Sequence, residues 1–190
     1  MDTAILCLDV QYYQENGKDK GHVAAGYTSN YKNERFDKLF GLTIEDVEEY
    51  EPGSFYKREL PCLMKMVDKI YETDIFWTID YWIIDGYVYL DDHIGLGGHF
   101  CEELTKEYSK RGGILLRLPV IGVAKTSYKG SDFAEKVYRG SSNSPLFITA
   151  ECESNIIAAS MIKSMHGQNR IPTLLKEVDR AARNLSFVNF

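Results

Sequence analysis

Short apolar runs alternate with helical patterns along most of the chain. Apolar runs that predict buried strands occupy residues 4–10, 22–29, 75–84, 114–123 and 145–150. Helices are predicted over 54–72, 95–110, 155–165 and 173–184, and a short strand or turn within the polar segment 30–52. Gly17 and Gly21 join the first two strands, which favours an antiparallel hairpin. We therefore expect one α/β domain over residues 1–190, with a mixed β-sheet flanked by helices.

The composition is that of an ordinary globular protein. The chain has 190 residues, of which 44% are hydrophobic and 26% charged, and this excludes a disordered or low-complexity chain. The formal net charge is −6, from 22 basic and 28 acidic residues. This balance argues against binding nucleic acid through the overall field of the protein. A nucleic-acid ligand would have to be held by local contacts.

The N-terminus and the cysteines give no sign of export. The first apolar run is short, follows no basic segment and is broken by Asp9, unlike a signal peptide. No run approaches about 18 apolar residues, so we expect no membrane association. The four cysteines, Cys7, Cys62, Cys101 and Cys152, form no Cys-x-x-Cys pair, and buried reduced thiols are the simpler interpretation. A cytoplasmic location is expected.

Two acids follow buried strands in the predicted sheet. Asp9 closes the first apolar run, and Asp85 closes the run before Gly86. An acid in such a place is costly unless it is hydrogen-bonded, paired or bound to metal. Either acid could act only as a cap or turn former. Together they favour a site for Mg²⁺ or Mn²⁺, because these ions take oxygen ligands and would relieve the repulsion between two carboxylates.

Glu59 and Lys125 are weaker candidates for the same site. Glu59 lies near the start of a predicted helix, where an acid is also favoured by the helix dipole. Lys125 directly follows a buried strand. It is either a solvated surface charge or, beside a carboxylate cluster, a group that neutralises a phosphate.

Four segments of the chain, taken together, resemble the endonuclease V family. They are Tyr50–Gly53 followed by Arg58-Glu59; Ile84-Asp85-Gly86; Leu118–Lys125; and Arg170-Ile171-Pro172 followed by Val178-Asp179. The resemblance extends from Asp9 to Asp179, and Leu118–Lys125 is its most specific part. It implies a ribonuclease H-like fold. It also implies hydrolysis of the second phosphodiester bond 3′ to deoxyinosine in DNA or inosine in RNA, in nucleic-acid repair or processing.

The resemblance also implies a set of functional residues. The metal-binding acids of the family fall on Asp9, Glu59, Asp85 and Asp179, and its catalytic lysine falls on Lys125. The expected cofactor is Mg²⁺, for which Mn²⁺ could substitute. The wedge that enters the DNA or RNA beside a deaminated purine falls on Tyr50 and Pro52, with Gly53 completing the turn.

The segment after Asp85-Gly86 departs from the family pattern. The family usually has His-Pro-Arg there, and residues 87–99 contain no such triplet. Asp91 stands near the place of a family histidine, and His93 is a neighbour that could substitute for it. His99 matches a histidine that opens a helix in the family, although a packed histidine on a helix face is an equally ordinary interpretation.

These departures leave alternatives open. Glu151 and Glu153 stand where the family tends to have Gly-His-Arg, so a nuclease with another substrate is one alternative. Another is a family member that binds modified nucleic acid or a protein partner without cutting. A two-carboxylate glycosidase is a third, although Lys125 and the two strand-end acids suit a metal better. We expect a monomer, on no strong sequence signal.

Overall fold

The computed structural model describes residues 2–49, 55–91, 93–112, 118–129 and 132–184. The strands in chain order are β1 Ile5–Glu15, β2 Lys18–Thr28, β3 Lys38–Ile44, β4 Tyr81–Asp85, β5 Tyr89–Leu90, β6 His93–Ile94, β7 Val120–Ala124, β8 Glu135–Val137 and β9 Leu146–Glu151. The helices are α1 Phe55–Tyr71, α2 Leu96–Lys110, α3 Asn155–Ser164 and α4 Thr173–Arg183, with a 3₁₀ turn at Phe76–Thr78.

Seven strands form one mixed sheet in the order β3-β2-β1-β4-β7-β9-β8. The central strands β1, β4 and β7 run parallel, and the neighbours on both sides are antiparallel. The predicted mixed sheet and the hairpin of the first two strands are therefore confirmed. Strands β5 and β6 make a separate two-stranded hairpin.

Helices cover both faces of the sheet because side chains alternate along each strand. On β1, Leu6, Leu8 and Val10 belong to the core formed with α1 and α2. Ile5 and Cys7 belong to the core formed with α3 and α4. A polar residue that lies two positions from Cys7 on this strand therefore faces α3 and α4. This alternation decides on which face of the sheet the site forms.

Several boundaries differ from the sequence prediction. Asp9 does not end its strand, because β1 continues to Glu15 and pairs with β2 up to Lys18. The run of apolar residues did not predict this extension, because the outer half of the hairpin is partly exposed and needs no apolar side chains. The strand predicted over 75–84 is β4 alone, preceded by the 3₁₀ turn. Pro61 lies inside α1, so it does not begin the helix.

The strand predicted over 114–123 is β7, which begins only at Val120, and residues 114–117 of the prediction lie outside the described residues. The remaining predicted elements are close to those observed. The helices predicted over 95–110, 155–165 and 173–184 are α2, α3 and α4. The late strand predicted at 145–150 is β9, and β3 is the short strand expected within 30–52. Within the described ranges, no helix is long and apolar enough to cross a membrane.

Candidate active site

Asp9, Asp85 and Lys125 come together on one face of the sheet. Each lies two residues after a side chain that is buried in the core with α3 and α4; these side chains are Cys7, Ile83 and Val123. The last parallel pair between β1 and β4 is Leu8 with Ile84, so Asp9 and Asp85 follow at the same level of neighbouring strands. Ligands of open α/β sheets bind at this carboxyl edge of parallel strands.

Helix α4 brings a fourth group to the same place. Leu174 and Val178 bury the apolar face of α4 against the sheet, and Asp179 follows on the adjoining face. Its Oδ2 accepts a 3.0 Å hydrogen bond from Nε of Arg183, and its Oδ1 accepts a 3.1 Å bond from Nη2 of the same side chain. This pairing with Arg183 lowers the pKa of Asp179 and keeps it ionised.

Lys125 supplies a positive charge among these acids. Its Nζ donates a 2.6 Å hydrogen bond to Oδ2 of Asp85 and lies 3.9 Å from Oδ1 of Asp179. Partial burial lowers the pKa of Lys125, but the hydrogen bond to Asp85 and the surrounding negative charges outweigh that effect and raise it. The lysine therefore stays protonated and faces the carboxylates as an ammonium ion.

Asp9 is the most buried acid on this face, with 5% of its surface exposed. Its Oδ1 accepts a 2.8 Å hydrogen bond from the backbone N–H of Val10. Its Oδ2 is buried and receives no hydrogen bond from the residues described. Burial, followed by repulsion from Asp85 and Asp179, raises the pKa of Asp9 to about 7. A buried carboxylate oxygen of this kind is a ready ligand for a cation.

Glu59 approaches the same acids from α1. It is 7% exposed and is the fifth residue of the helix, so it is not a solvated acid at a helix N-terminus. Burial, then repulsion from Asp9 and Asp85, raises the pKa of Glu59 to about 8. The negative charges of Asp9 and Asp85 therefore act on the carboxyl group of Glu59, although α1 packs against the opposite face of the sheet.

The donor set of this cluster fits a hard divalent cation. Its acids offer only carboxylate oxygens, the ligands that Mg²⁺ and Mn²⁺ prefer. A cavity of about 20 Å³ is lined by Asp9, Asp85, Lys125 and Asp179 together with eight apolar residues, and it is large enough for a water-sized occupant. No three His, Cys, Asp or Glu side chains of the described residues surround a common point closely enough to bind an ion as they stand. Lys125 is the cation that Asp85 contacts in this arrangement.

The three weaker candidates lie outside this cavity. Asp91 is exposed at the tip of the β5–β6 hairpin with a φ of 50°, and His93 is exposed in β6. His99 stacks on Tyr56, with ring centroids 4.0 Å apart, which agrees with the interpretation as a packed histidine. The predicted wedge residues Tyr50, Pro52 and Gly53 fall outside the described residues.

Three residues that contact the site were not assigned a role from the sequence. Arg183 pairs with Asp179, and its position four residues later on a predicted helix was a usable signal. Arg170 donates to the backbone carbonyl of Lys125. Thr149, fully buried in β9, accepts a 2.8 Å hydrogen bond from the N–H of Val88 just after Asp85. The last two depend on contacts across the fold, for which the sequence has no local signal.

Solved structures of endonucleases V share this architecture. The Ciona intestinalis enzyme, in complex with a 24mer DNA containing an inosine followed by a ribo-adenosine, superposes with a TM-score of 0.77 at 16% identity, over 96% of this chain and 85% of that one. The Bacillus subtilis enzyme gives 0.72 at 17% identity, over 96% and 80%. The catalytic domain of the human enzyme gives 0.72 at 17% identity, over 96% and 82%.

These likenesses define the class of fold. A mixed seven-stranded sheet flanked by four helices within the described ranges, matching those structures, is a ribonuclease H-like fold. The sequence model of endonuclease V matches residues 2–172. The chain belongs to the endonuclease V family, a family of endonucleases. A comparison with curated protein sequences gave no match.

Proposed function

We propose that this chain is a divalent-metal-dependent endonuclease that hydrolyses a phosphodiester bond 3′ to deoxyinosine in DNA or inosine in RNA. The observation that carries the proposal is the convergence of Asp9, Asp85 and Asp179 around the ammonium of Lys125 at the carboxyl edge of the parallel strands. Family membership and the inosine-containing complexes of the Ciona enzyme support the choice of substrate.

The acids are proposed to hold Mg²⁺, with Mn²⁺ as a substitute. Asp9 and Asp85 are the central ligands, and Glu59 and Asp179 complete the set. The raised pKa values of Asp9 and Glu59 support this: burial raises them most, repulsion between the acids raises them further, and a divalent cation would relieve that repulsion. When bound, such an ion supplies a Lewis acid for the phosphate and activates water for in-line attack.

Lys125 is proposed to contact the phosphate. Its ammonium is held by Asp85 and is kept protonated by the acids around it. It can therefore stabilise the charge that develops on phosphate oxygens during hydrolysis. Partial exposure of its side chain, at 38%, leaves the charge accessible to a ligand entering the edge of the sheet.

Recognition of the base is proposed to rest on Tyr50, Pro52 and Gly53, through stacking beside a displaced purine. The net charge of −6 does not oppose a nucleic-acid substrate. Four of the acids, Asp9, Glu59, Asp85 and Asp179, would face metal, and bound cations would offset their charge locally. Binding should accordingly weaken when metal is removed.

A panel of labelled oligonucleotides tests the proposal most directly. Matched DNA and RNA strands with inosine, uracil, an abasic site, a mismatch or a flap are incubated in Mg²⁺, Mn²⁺ or EDTA. We expect cleavage 3′ to inosine in either metal and none in EDTA. Cleavage of another substrate in preference to inosine would change the substrate assignment, and cleavage in EDTA would refute the metal assignment.

Matched variants separate chemistry from folding. Asp85→Asn should abolish cleavage while leaving the fold intact. Glu103→Gln, which removes an acid paired with Lys106 on α2, should cleave like the wild type. Residual metal-dependent cleavage by Asp85→Asn would refute its assigned role.

A family member that binds but does not cut is the second candidate. The absence of His-Pro-Arg from the segment after Asp85-Gly86 favours it, because the family usually has that triplet there. Retention of inosine oligonucleotides in a gel-shift assay, with no product in either metal, would select this function.

A further inference from the structure

Arg170 does not line the cavity that contains Asp9, Asp85 and Asp179. It donates hydrogen bonds to backbone carbonyl groups beside that cavity. Its Nη2 donates a hydrogen bond to the carbonyl oxygen of Lys125 and a second, of 2.7 Å, to the carbonyl oxygen of Pro145. One guanidinium thus joins the residue that follows β7 to the residue that precedes β9. It contacts Lys125 through the backbone and not through the ammonium.

The sheet itself does not hold these two strand ends together. The antiparallel pairing of β7 and β9 ends at Ala124 with Phe147. Continuing the same register would place Thr126 opposite Pro145, and proline has no N–H to donate. Arg170 supplies hydrogen-bond donors at the point where the pairing of β7 and β9 ends. The carbonyl of Lys125 is thereby fixed although the residue lies beyond the last pair of the sheet.

Arg170 is held in place by the segment between α3 and α4. Arg139 donates to the carbonyls of Met165 and Gly167, at 2.6 and 2.9 Å. A Cβ at Gly140 would lie 2.4 Å from the carbonyl oxygen of Gln168, so this segment packs closely against the chain beside it. The guanidinium of Arg170 therefore projects from a restrained backbone.

The guanidinium of Arg170 is held by backbone carbonyl groups. It forms no ion pair within the described part of the chain, and its Nε is buried without a partner there. Arginine suits this position because Nη2 of its rigid guanidinium carries two N–H groups and reaches both carbonyl oxygens at once.

We propose that Arg170 is a positioning residue for Lys125. By fixing the carbonyl of Lys125 against Pro145, it sets the direction in which the lysine side chain leaves the strand and meets Asp85. This inference rests on the proposed function, because the role of Lys125 in hydrolysis is itself proposed. The claim that Arg170 controls the placement of the lysine can be tested without any catalytic turnover.

The kinetic test uses Arg170→Gln with Arg170→Lys beside it. We expect kcat on an inosine substrate to fall by about 10²-fold in Arg170→Gln, the size of effect that an ångström of misplacement causes, with KM within about threefold of the wild type. Arg170→Lys, which keeps one donor and the charge, should recover part of kcat. Arg111→Gln removes a more distant arginine that pairs with Asp68 and should leave both constants unchanged.

A double-variant cycle distinguishes positioning from a general loss of stability. In a Lys125→Ala background, Arg170→Gln should lower kcat no further, because residues that act as a unit are not additive. An equal loss in both backgrounds would overturn the proposal. So would a rise in KM with kcat unchanged.

A spectroscopic measurement covers the case in which the chain does not cleave inosine substrates. Lysines are reductively methylated with ¹³C-formaldehyde, and the Lys125 signal is assigned by its loss in Lys125→Ala. The signal should shift in Arg170→Gln and stay in place in Arg111→Gln. An unchanged signal in Arg170→Gln would refute the positioning role whatever becomes of the proposed activity.

Discussion

The ammonium of Lys125 donates a 2.6 Å hydrogen bond to Oδ2 of Asp85, and the two residues lie at the ends of adjacent parallel strands. The pair therefore depends on the register of the sheet and not on a flexible loop. It joins the cationic and anionic parts of the proposed site. Substitution of either partner should affect hydrolysis before it affects the fold.

Lys125→Ala should lower kcat more than it lowers affinity for nucleic acid. The lost ammonium is proposed to stabilise charge that develops during the reaction, so we expect kcat to fall by about 10²–10³-fold and the dissociation constant to change by a few fold. Single-turnover cleavage and gel-shift titration measure the two quantities. Equal losses in both would indicate a binding role. Lys129→Ala, four residues along the chain, is the control.

Asp9→Asn should change how stability depends on pH when metal is absent. The pKa of Asp9 is raised from 3.8 to about 7. The contribution of this carboxyl to stability is therefore fully present below about pH 4 and is lost as the pH rises to about 7. Asp9→Asn should not show this loss of unfolding free energy, which in the wild type amounts to at most about 1.4 kcal/mol per pH unit. Urea unfolding in EDTA from pH 4.5 to 8 measures it.

An exposed aspartate provides the control for the prediction on Asp9. The side chain of Asp132 is 94% exposed, so Asp132→Asn should keep the pH slope of the wild type. Adding Mn²⁺ at pH 7.5 should raise the melting temperature of the wild type and not that of Asp9→Asn, because a ligand stabilises only the state that binds it. A parallel slope for Asp9→Asn and the wild type would contradict the prediction.

Arg183→Gln should strengthen binding of the metal. Arg183 holds both oxygens of Asp179 and so competes with a divalent cation for the same carboxylate. Its removal should tighten Mn²⁺ binding by up to about fivefold, the effect expected for an exposed charge pair worth at most about 1 kcal/mol. Titration calorimetry with Mn²⁺ measures the effect. Arg180→Gln changes the net charge equally from the same helix and should leave the affinity unchanged.

Gly122→Ala should destabilise the fold around the site. A Cβ at this position in β7 would lie 2.6 Å from the carbonyl oxygen of Gly86 and 2.8 Å from the backbone nitrogen of Val88. The loop after Asp85 would have to move, at a cost of about 1–3 kcal/mol. At Gly21 in β2 the nearest atom would be 3.4 Å away, so Gly21→Ala should change stability by less than about 0.5 kcal/mol. Urea unfolding compares the two variants.

Local patterns predicted most of the elements correctly but placed several boundaries wrongly, that of β1 among them. Helix α4, Thr173–Arg183, has its apolar residues on the face that packs on the sheet, and that periodicity is readable without a structure. Asp9 was placed at a strand end because apolar residues stop there. The strand goes on as an exposed hairpin to Glu15, where backbone pairing and not apolar burial maintains it.

The sequence by itself determined which chemical groups are available and the family to which the chain is similar. Asp9, Asp85 and Lys125 each follow a run of apolar residues, and the helical position of Asp179 follows from its neighbours. Only the tertiary structure decided that these groups share one face, that Arg183 holds Asp179, and that Arg170 fixes the backbone at Lys125. The reason is that strand register and helix docking are set by contacts between residues far apart in the chain, and a single sequence contains no local signal for them.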